Sequence, residues 1–314
     1  MLDIALLNHP LWMWAGFFLL ITLLLAFDLG VLNRRAKPLS ISHALKLSVF
    51  YISLGLLFSL WVFEHLGREA GYQYLTGYLI EKTLSLDNIF VFVLIFQHFA
   101  VPAEYQHRVL FWGIIGAIIL RGAFIVLGTT LIAQFDWMLY LLGTFLIYTG
   151  IKMLLAADAT PNLNENRFIR FLSKHGRMTA NYEGTKFFIR RDGVLYMTPL
   201  LLVLLVIDVA DVVFAVDSIP AIFAITQDTF VVLTSNIFAI LGLRALYFAL
   251  AAMMHRFEYL KYGLSLVLVF IGGKMLINHA HNYTLIEIEY SLLFTVGVIT
   301  LSVLLSLFKT RNQS

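Results

Sequence analysis

The chain contains a series of apolar stretches that are each long enough to form a helix across a lipid bilayer. A helix needs about 20 residues to cross roughly 30 Å of hydrocarbon. The runs of Leu, Ile, Phe and Val lack the alternation of polar and apolar residues that marks a membrane β-strand. Hydrophobic residues make up 60% of the chain and charged residues only 13%, which is too few for a water-soluble domain of this length. The sequence therefore predicts an all-α polytopic membrane protein.

Apolar runs bounded by polar clusters predict nine transmembrane helices. Basic residues follow the first run instead of preceding it, so we interpret that run as a retained helix rather than a signal peptide. The predicted spans lie near residues 11 to 32, 43 to 63, 73 to 97, 109 to 132, 138 to 155, 195 to 225, 230 to 254, 262 to 277 and 287 to 308.

Positively charged residues lie almost entirely on one side of this topology. If the N-terminus is outside, the inward loops contain sixteen Lys and Arg residues and the outward loops contain only Arg68. Such residues concentrate in cytoplasmic loops of membrane proteins. We therefore expect a bacterial cytoplasmic membrane protein with its N-terminus outside and its C-terminus in the cytoplasm. Its positive charge is explained by orientation in the bilayer and does not indicate nucleic-acid binding.

The sizeable polar region is the predicted cytoplasmic loop at 156–193. Arg191, Asp192 and Gly193 form a turn-like sequence between two short apolar runs, which is compatible with a β-hairpin. We favour a basic linker that lies near anionic headgroups.

Two parts of the chain resemble each other. The sequence GIKML at 150–154 recurs as GGKML at 272–276, and Arg121 corresponds to Arg244. Spans three to five thus match spans six to eight. Because three is an odd number, the two units would face opposite ways across the membrane, which is the inverted repeat of many secondary transporters. A chance likeness between Leu-rich helices is the alternative.

These features divide the chain into five parts. The two three-helix units are separated by the polar loop and flanked by additional helices. The predicted parts are two N-terminal helices (1–70), the first three-helix repeat (71–155), the cytoplasmic loop (156–193), the second three-helix repeat (194–278) and a C-terminal helix with a short tail (279–314).

Acidic residues occur inside the predicted spans, where they are costly. A charged side chain at the centre of a membrane helix costs about 2.5 to 3.5 kcal/mol on insertion scales. One explanation is that the acids only neutralise basic residues in the same spans. The acidic residues concerned are Asp28, Glu81, Asp87, Asp208, Asp211 and Asp217.

The acids are clustered in a way that simple charge neutralisation does not explain. Both repeats contain a carboxylate followed six residues later by an aspartate, at Glu81 and Asp87 and at Asp211 and Asp217. Six residues turn an ideal helix through about 600°, which separates the two acids around the axis. A single site therefore needs a wide cavity or a break in the helix, and Pro220 is a candidate for such a break.

We predict two different roles for the basic residues within the spans. For Lys82, Lys152 and Lys274 we predict snorkelling or pairing. Arg121 and Arg244 lie near mid-span and are predicted to anchor the acids, because like charges repel a cation. An anionic substrate at these arginines is the competing hypothesis.

The residue types of the cluster indicate a hard divalent cation. The chain has no cysteine, and we expect no histidine in the membrane core, so an all-oxygen site for Mn²⁺, Mg²⁺ or Ca²⁺ is favoured. A purely structural polar core is the alternative. The predicted metal ligands are Glu81, Asp87, Asp208, Asp211 and Asp217, with Asn88, Ser218, Arg121 and Arg244 in support and Ser85 and Asn236 nearby.

Five long motifs are distributed over nearly the whole chain. They begin at Phe27 (FDLGVLNRRA), Gly77 (GYLIEKTLSLDNIFVF), Gln134 (QFDWMLY), Asp211 (DVVFAVDSIPAIFAIT) and Leu233 (LTSNIFAILGLRALYF). In these motifs the chain resembles the TerC family of integral membrane proteins, and within it the alkali-inducible Alx branch. The paired three-helix units of that family are similar to the LysE transporter superfamily.

The resemblance implies manganese export, with a historical link to tellurium resistance. Carried over by position, it implies that Glu81, Asp87, Asp211 and Asp217 handle the metal. Asp208 departs from the glutamate expected in the Alx branch, and its side chain is one methylene shorter.

We therefore expect a transporter that exports Mn²⁺, with protons as a candidate coupling ion. We expect neither enzymatic activity nor a permanently bound cofactor. No GxxxxGK[ST] motif is present, which argues against ATP hydrolysis on this chain. The alternatives are a membrane-bound redox modulator, which the lack of cysteine disfavours, and a tellurium-resistance scaffold that recruits partners through the 156–193 loop.

The orientation can be tested with single cysteines, because the chain contains none of its own. A cysteine at Asn8 should react with an impermeant thiol reagent in intact cells, whereas a cysteine at Asn312 should react only after permeabilisation. Equal labelling of the two positions in intact cells would contradict the predicted topology.

Overall fold

The computed structural model describes residues 5–6, 9–32, 41–135, 137–155, 178–251, 259–281 and 286–311. Within these ranges the chain is almost entirely helical. Besides the connections between helices, two antiparallel strand pairs are present. One pairs β1 (Ala5–Leu6) with β2 (His9–Pro10), and the other pairs β3 (Phe188–Arg191) with β4 (Val194–Met197).

Ten helices are present in the described residues. Two of them, separated at Gly242, form one membrane-length element, which leaves nine such elements and confirms the all-α prediction. The helices are α1 (Leu11–Leu32), α2 (Ile41–His65), α3 (Gly67–His98), α4 (Ala103–Gln134), α5 (Trp137–Leu155), α6 (Pro199–Phe223), α7 (Thr229–Leu241), α8 (Leu243–Leu250), α9 (Leu260–His281) and α10 (Ile288–Arg311).

Eight of these elements are long and apolar enough to cross a membrane. The ninth is α3, which has 32 residues and is also long enough. Glu81, Lys82 and Asp87 interrupt its apolar sequence, so it has no stretch of 18 residues with two or fewer charged side chains. Helix α3 therefore departs from ordinary transmembrane composition at residues that were predicted to form the site.

The hairpin at 188–197 corrects two predictions. Asp192 and Gly193 both adopt positive φ, at 50° and 79°, as the tight turns of two-residue hairpins require. The hairpin alternative is therefore right for this segment, and the favoured linker is wrong there. The sixth span begins at Pro199 and not near 195, and proline suits the first turn of a helix. Residues 156–177 of the predicted loop lie outside the described residues.

The expected break at Pro220 is not observed. Helix α6 continues through this proline and ends at Phe223. Pro220 is buried, and neighbouring helices can hold a proline-containing membrane helix in place. The acids of α6 therefore lie on a continuous helix.

Helices α5 and α9 pack closely against each other in antiparallel directions. The space where Gly272 would bear a Cβ lies 2.7 Å from the carbonyl oxygen of Gly143. Further along, the hydroxyl of Ser265 donates a hydrogen bond to the carbonyl oxygen of Gly150 at 2.5 Å. Small residues permit this approach of two membrane helices. Gly150 and Gly272 belong to the two copies of the repeated motif.

The other contacts are compatible with the same two-fold relation. Helix α3 packs against α7, and α4 packs against α6. In the predicted repeat, α3 corresponds to α6, and α4 corresponds to the element formed by α7 and α8. The contact of α3 with α7 therefore corresponds to the contact of α6 with α4. The inverted repeat itself stays a prediction, as do the five domain boundaries. An experimental structure in which spans three to five and six to eight superimpose only in parallel orientation would refute it.

The contact between α5 and α9 predicts opposite effects for two adjacent glycines. Gly272→Ala places a methyl group against backbone and should lower the free energy of unfolding by about 1 to 3 kcal/mol. Gly273→Ala is the matched control, because no other atom lies within 4 Å of its Cβ position. It should be neutral or stabilise by up to about 1 kcal/mol, since alanine is the better helix former. Unfolding of both variants in detergent micelles measures the difference, and equal effects would contradict the close contact.

Candidate cation-binding site

A single arginine lies at the centre of the polar core. Arg121 of α4 is 1% exposed. Its Nε and Nη2 donate to the two carboxylate oxygens of Asp211 on α6, at 2.9 and 2.8 Å. Its Nη1 donates to Glu81 on α3. This planar, two-pronged contact with Asp211 is the arrangement that guanidinium groups make best.

The remaining polar contacts complete a network around this arginine. Nη1 also lies 3.4 Å from the hydroxyl of Ser218 and 3.4 Å from the side-chain oxygen of Asn236. The side-chain amide nitrogen of Asn88 lies 3.5 Å from the carboxylate oxygen Oδ1 of Asp211. Four helices, α3, α4, α6 and α7, therefore contribute to one buried network.

Glu81 and Asp211 are equivalent in the predicted repeat, and the structure brings both to the same arginine. They come together because α3 is in contact with α6 and α4 packs against α6. A buried charge is tolerated only when it is paired and hydrogen-bonded. The predicted anchoring role of Arg121 thus agrees with the geometry, whereas metal binding by these acids stays a prediction.

A cavity of about 70 Å³ adjoins this network. Glu81, Asn88, Arg121 and Ser218 line it, and so does Asp217, the second predicted acid of α6. Asp217 accepts a hydrogen bond from the hydroxyl of another lining residue, Thr149 of α5, at 3.4 Å. Apolar residues of α3, α5, α6 and α9 complete the wall. The cavity therefore places oxygen ligands of three helices around a small enclosed volume.

Two buried oxygen atoms beside this cavity lack a hydrogen-bond partner among the described residues. They are Oε2 of Glu81 and Oδ1 of Asn88. Buried acceptors are nearly always satisfied in folded proteins, so each exception needs an explanation such as a bound ion, a water molecule or a proton. These two acceptors belong to residues that line the same cavity.

Asp208 occupies a separate position. Its carboxylate lies against Gly113 and Gly116 of α4, and its Oδ1 is buried without a hydrogen-bond partner in the described part of the chain. It is not among the residues that line the cavity. The structure therefore does not place it beside Glu81 and Asp217, although all three were predicted as ligands.

The complete set of five acids is not assembled by the described side chains. The backbone of Asp87 lies in α3, but its side chain is outside the described residues, so the predicted ion shared by Asp87 and Asp217 stays a prediction. Among the side chains that are described, no group of three or more His, Asp or Glu residues could hold a metal ion together. Glu81 and Asp211 meet on Arg121, and Asp217 joins Glu81 at the cavity.

Arg244 has a different partner from the one the repeat suggests. Its Nη2 lies 2.6 Å from the carboxylate of Asp28 on α1, and both side chains are buried. The sequence marked Asp28 as an intramembrane acid but did not connect it with this arginine. It also missed Thr149, whose position directly before the repeated GIKML motif was the available signal.

Two of the three intramembrane lysines bind neutral oxygen atoms. Lys82 donates to the carbonyl oxygen of Ala239 at 2.9 Å, and Lys274 donates to the hydroxyl of Ser291 at 2.7 Å. Lys152 is exposed in the last turn of α5, as a snorkelling lysine would be. Among the described residues, no lysine therefore contacts Glu81 or Asp211, although the charge of Lys152 acts on Asp217.

A bundle of apolar helices around a buried, charged centre defines an integral membrane protein of the helical class. A family model described as "Integral membrane protein TerC family" matches residues 66–314, which begins at the start of α3. The chain therefore belongs to the TerC family, which confirms the resemblance at the level of the family.

Curated relatives match almost the whole chain. The chain is 47% identical over 303 residues to the "Putative membrane-bound redox modulator Alx" of Salmonella typhi, which covers 94% of this chain and 93% of the relative. The Alx protein of Escherichia coli strain K12 is 45% identical over 303 residues and 94% of each chain. "Uncharacterized membrane protein STKORF319" of Myxococcus xanthus is 46% identical over 300 residues, 96% of this chain and 93% of the relative. No solved structure matches the chain.

The buried network predicts a large loss of stability when its cation is removed. Arg121→Met leaves Glu81 and Asp211 buried without a positive partner and should lower the free energy of unfolding by about 3 to 5 kcal/mol. Neutralising both acids in the same chain, by adding Glu81→Gln and Asp211→Asn, should recover part of that loss.

The control is Arg68→Met, which removes an exposed arginine from the first turn of α3 and should cost less than about 0.5 kcal/mol. Unfolding in mixed detergent micelles measures all three proteins. If Arg121→Met is no less stable than Arg68→Met, the ion pairs do not hold the helices together.

Proposed function

We propose that this protein is a carrier that exports a divalent cation, Mn²⁺ before others, across the bacterial cytoplasmic membrane. The observation that carries the proposal is the small cavity next to Arg121, where carboxylate, amide and hydroxyl oxygens meet in the membrane-spanning bundle. An oxygen-lined cavity between helices of two repeat units is where many carriers bind their ions.

The charges of the site support a dication. Glu81, Asp211 and Asp217 are three carboxylates, whereas Arg121 supplies one positive charge to them. Two negative charges remain when these four groups are ionised, since Lys152, whose charge acts on Asp217, is exposed and does not line the cavity. In a low-dielectric environment this surplus requires either a bound cation or protons on the acids. One Mn²⁺ ion would neutralise it.

The ligand atoms and the space available favour a small, hard ion. Carboxylate, amide and hydroxyl oxygens suit Mn²⁺, Mg²⁺ and Ca²⁺. A volume of about 70 Å³ has room for roughly two water-sized groups, each of about 30 Å³. Among these three metals, manganese follows from the activity that the family resemblance implies.

Exchange for protons is the coupling that this chemistry suggests. Acids that must hold protons when no metal is bound would release them when the metal enters. Metal affinity should therefore rise with pH. A carrier of this kind takes up protons on one side of the membrane and metal on the other, as access to the cavity alternates.

The alternative of an anionic substrate is less well supported. All three nitrogen atoms of the Arg121 guanidinium already donate to protein oxygens, and its two strongest partners are carboxylates. An anion would have to displace one of them and would meet the negative charge of the others. Arg244 is likewise bound to Asp28.

The location in the cytoplasmic membrane, with the N-terminus outside, is part of the proposal. It is supported by the distribution of Lys and Arg between the loops and by the bacterial origin of the relatives. The substrate is the metal ion and the bilayer is the surrounding partner. We assign no permanent cofactor and no enzymatic activity.

The printed names of several relatives suggest a redox modulator instead. Thiol chemistry is not available to this chain, because it lacks cysteine. A tellurium-resistance scaffold would act by binding partners and would move no ions. Metal flux into liposomes that contain only the purified protein distinguishes a carrier from both alternatives.

Neutralising the predicted ligands should stop this flux. Asp87→Asn and Asp217→Asn keep the side-chain shape and remove one negative charge each. We expect each to reduce the rate of Mn²⁺ uptake into proteoliposomes by at least about tenfold, which corresponds to about 1.4 kcal/mol of lost interaction. Manganese binding by the detergent-solubilised variants should weaken in parallel.

The matched control is Glu289→Gln, which neutralises an exposed acid in the first turn of α10. This variant should transport manganese at the rate of the unchanged protein. If Asp87→Asn and Asp217→Asn fold normally and leave flux and binding unchanged, the two acids do not form the metal site.

A further inference from the structure

A second and larger cavity lies between α1, α2 and α7, and its lining shares no residue with the cation site. Its volume is about 390 Å³, and the side chains that line it are apolar or aromatic. Its walls come mainly from α1 and α2, which precede the part of the chain that the family model matches. We propose that this cavity binds one acyl chain of a membrane phospholipid.

The cavity has a rigid aromatic base. Phe17 of α1 and Phe58 of α2 meet with their ring centroids 6.0 Å apart. Both rings rest on Phe238 of α7, at 5.9 and 4.7 Å. Phe230, another residue of α7, is fully buried beside them. Helices α1 and α2 thus both pack on α7, and the cavity lies between them.

The space persists because α1 is attached at both of its ends. His9, just before α1, lies 2.8 Å from a carboxylate oxygen of Asp228, which caps the start of α7. Asp28, near the other end of α1, is paired with Arg244 on α8. These two polar contacts hold α1 against α7 and α8 at both of its ends. A movement of α1 into the gap would have to break one of them.

The lining determines what can fill the gap. Apart from the indole groups of Trp12 and Trp61, the lining side chains have no strong hydrogen-bonding atoms, and apolar cavities are dry or hold apolar molecules. A volume of about 390 Å³ falls in the usual range of ligand sites, which is about 300 to 1,000 Å³. A flexible hydrocarbon chain matches both the apolar lining and the volume.

The cavity opens toward the surface that faces lipid. Leu57, one of its lining residues, is 60% exposed, and the neighbouring Leu60 is 62% exposed. Gly16 on the facing wall has no atom within 4 Å of the position where a Cβ would lie. Hydrocarbon from the surrounding bilayer can therefore enter from the side without rearrangement of the helices.

Two tryptophans mark the end of the cavity that lies nearest the membrane surface. Trp12 is in the first turn of α1 and Trp61 is in the last turns of α2, and their rings meet edge to face at 6.3 Å. Tryptophan is enriched at the level of the lipid headgroups. We therefore place the ester end of the lipid beside these rings and the chain alongside Gly16 and Phe17.

The test compares two glycines that differ only in location. Gly16→Phe fills the gap with a side chain, whereas Gly297→Phe adds the same bulk to an exposed position of α10 that also has no atom within 4 Å. Each protein is extracted from its own membranes, washed extensively in detergent and examined by native mass spectrometry. The unchanged protein and Gly297→Phe should each retain one phospholipid. The fraction of Gly16→Phe molecules that carry a phospholipid should be lower by at least about fivefold.

The masses also identify the occupant. A retained isoprenoid quinone in place of a phospholipid would overturn the proposal, and so would an unchanged protein that retains nothing. Equal retention by Gly16→Phe and the unchanged protein would do the same. Thermal unfolding checks that the variants are folded, and Gly16→Leu, which adds less volume, replaces Gly16→Phe if that protein does not fold. This test does not depend on the transport activity proposed above.

Discussion

A guanidinium group buried within a membrane protein is the constraint on which the polar core depends. The positive charge of Arg121 is buried, so it has to be balanced inside the protein by neighbouring helices. Asp211 and Glu81 meet that charge from two other helices. The result is a polar joint that fixes α3, α4 and α6 relative to one another, in an environment where burial of apolar surface gives little force between helices.

The same contacts explain why the site contains more carboxylates than Arg121 alone can neutralise. Once α3 and α6 are fixed side by side, Asp217 lies at the same cavity as Glu81. An acid beyond those that neutralise Arg121 is unfavourable unless a cation or a proton accompanies it. The proposed transport cycle uses this surplus, because occupation by metal and occupation by protons are two ways to satisfy the same carboxylates.

The helices and the unusual acids could be predicted from sequence because both signals are local. Apolar length indicates a span, and an aspartate inside a span is costly wherever its partner lies. The choice of partner could not be predicted, since it depends on the rotation and depth of helices far apart in the chain. Arg244 illustrates this: the repeat suggested a central acid, whereas the structure pairs it with Asp28 of α1. Pro220 failed as a predictor of a break because packing around α6 overrides its local effect.

The central claim is that the cavity beside Arg121 binds the transported metal. Anomalous diffraction at the manganese absorption edge, from crystals grown in a lipid phase with Mn²⁺, tests it most directly. The account predicts one strong peak between α3 and α6, within coordination distance of carboxylate oxygens of Glu81 and Asp217. A well-ordered cavity without a peak, in crystals that bind manganese elsewhere on the protein, would contradict it.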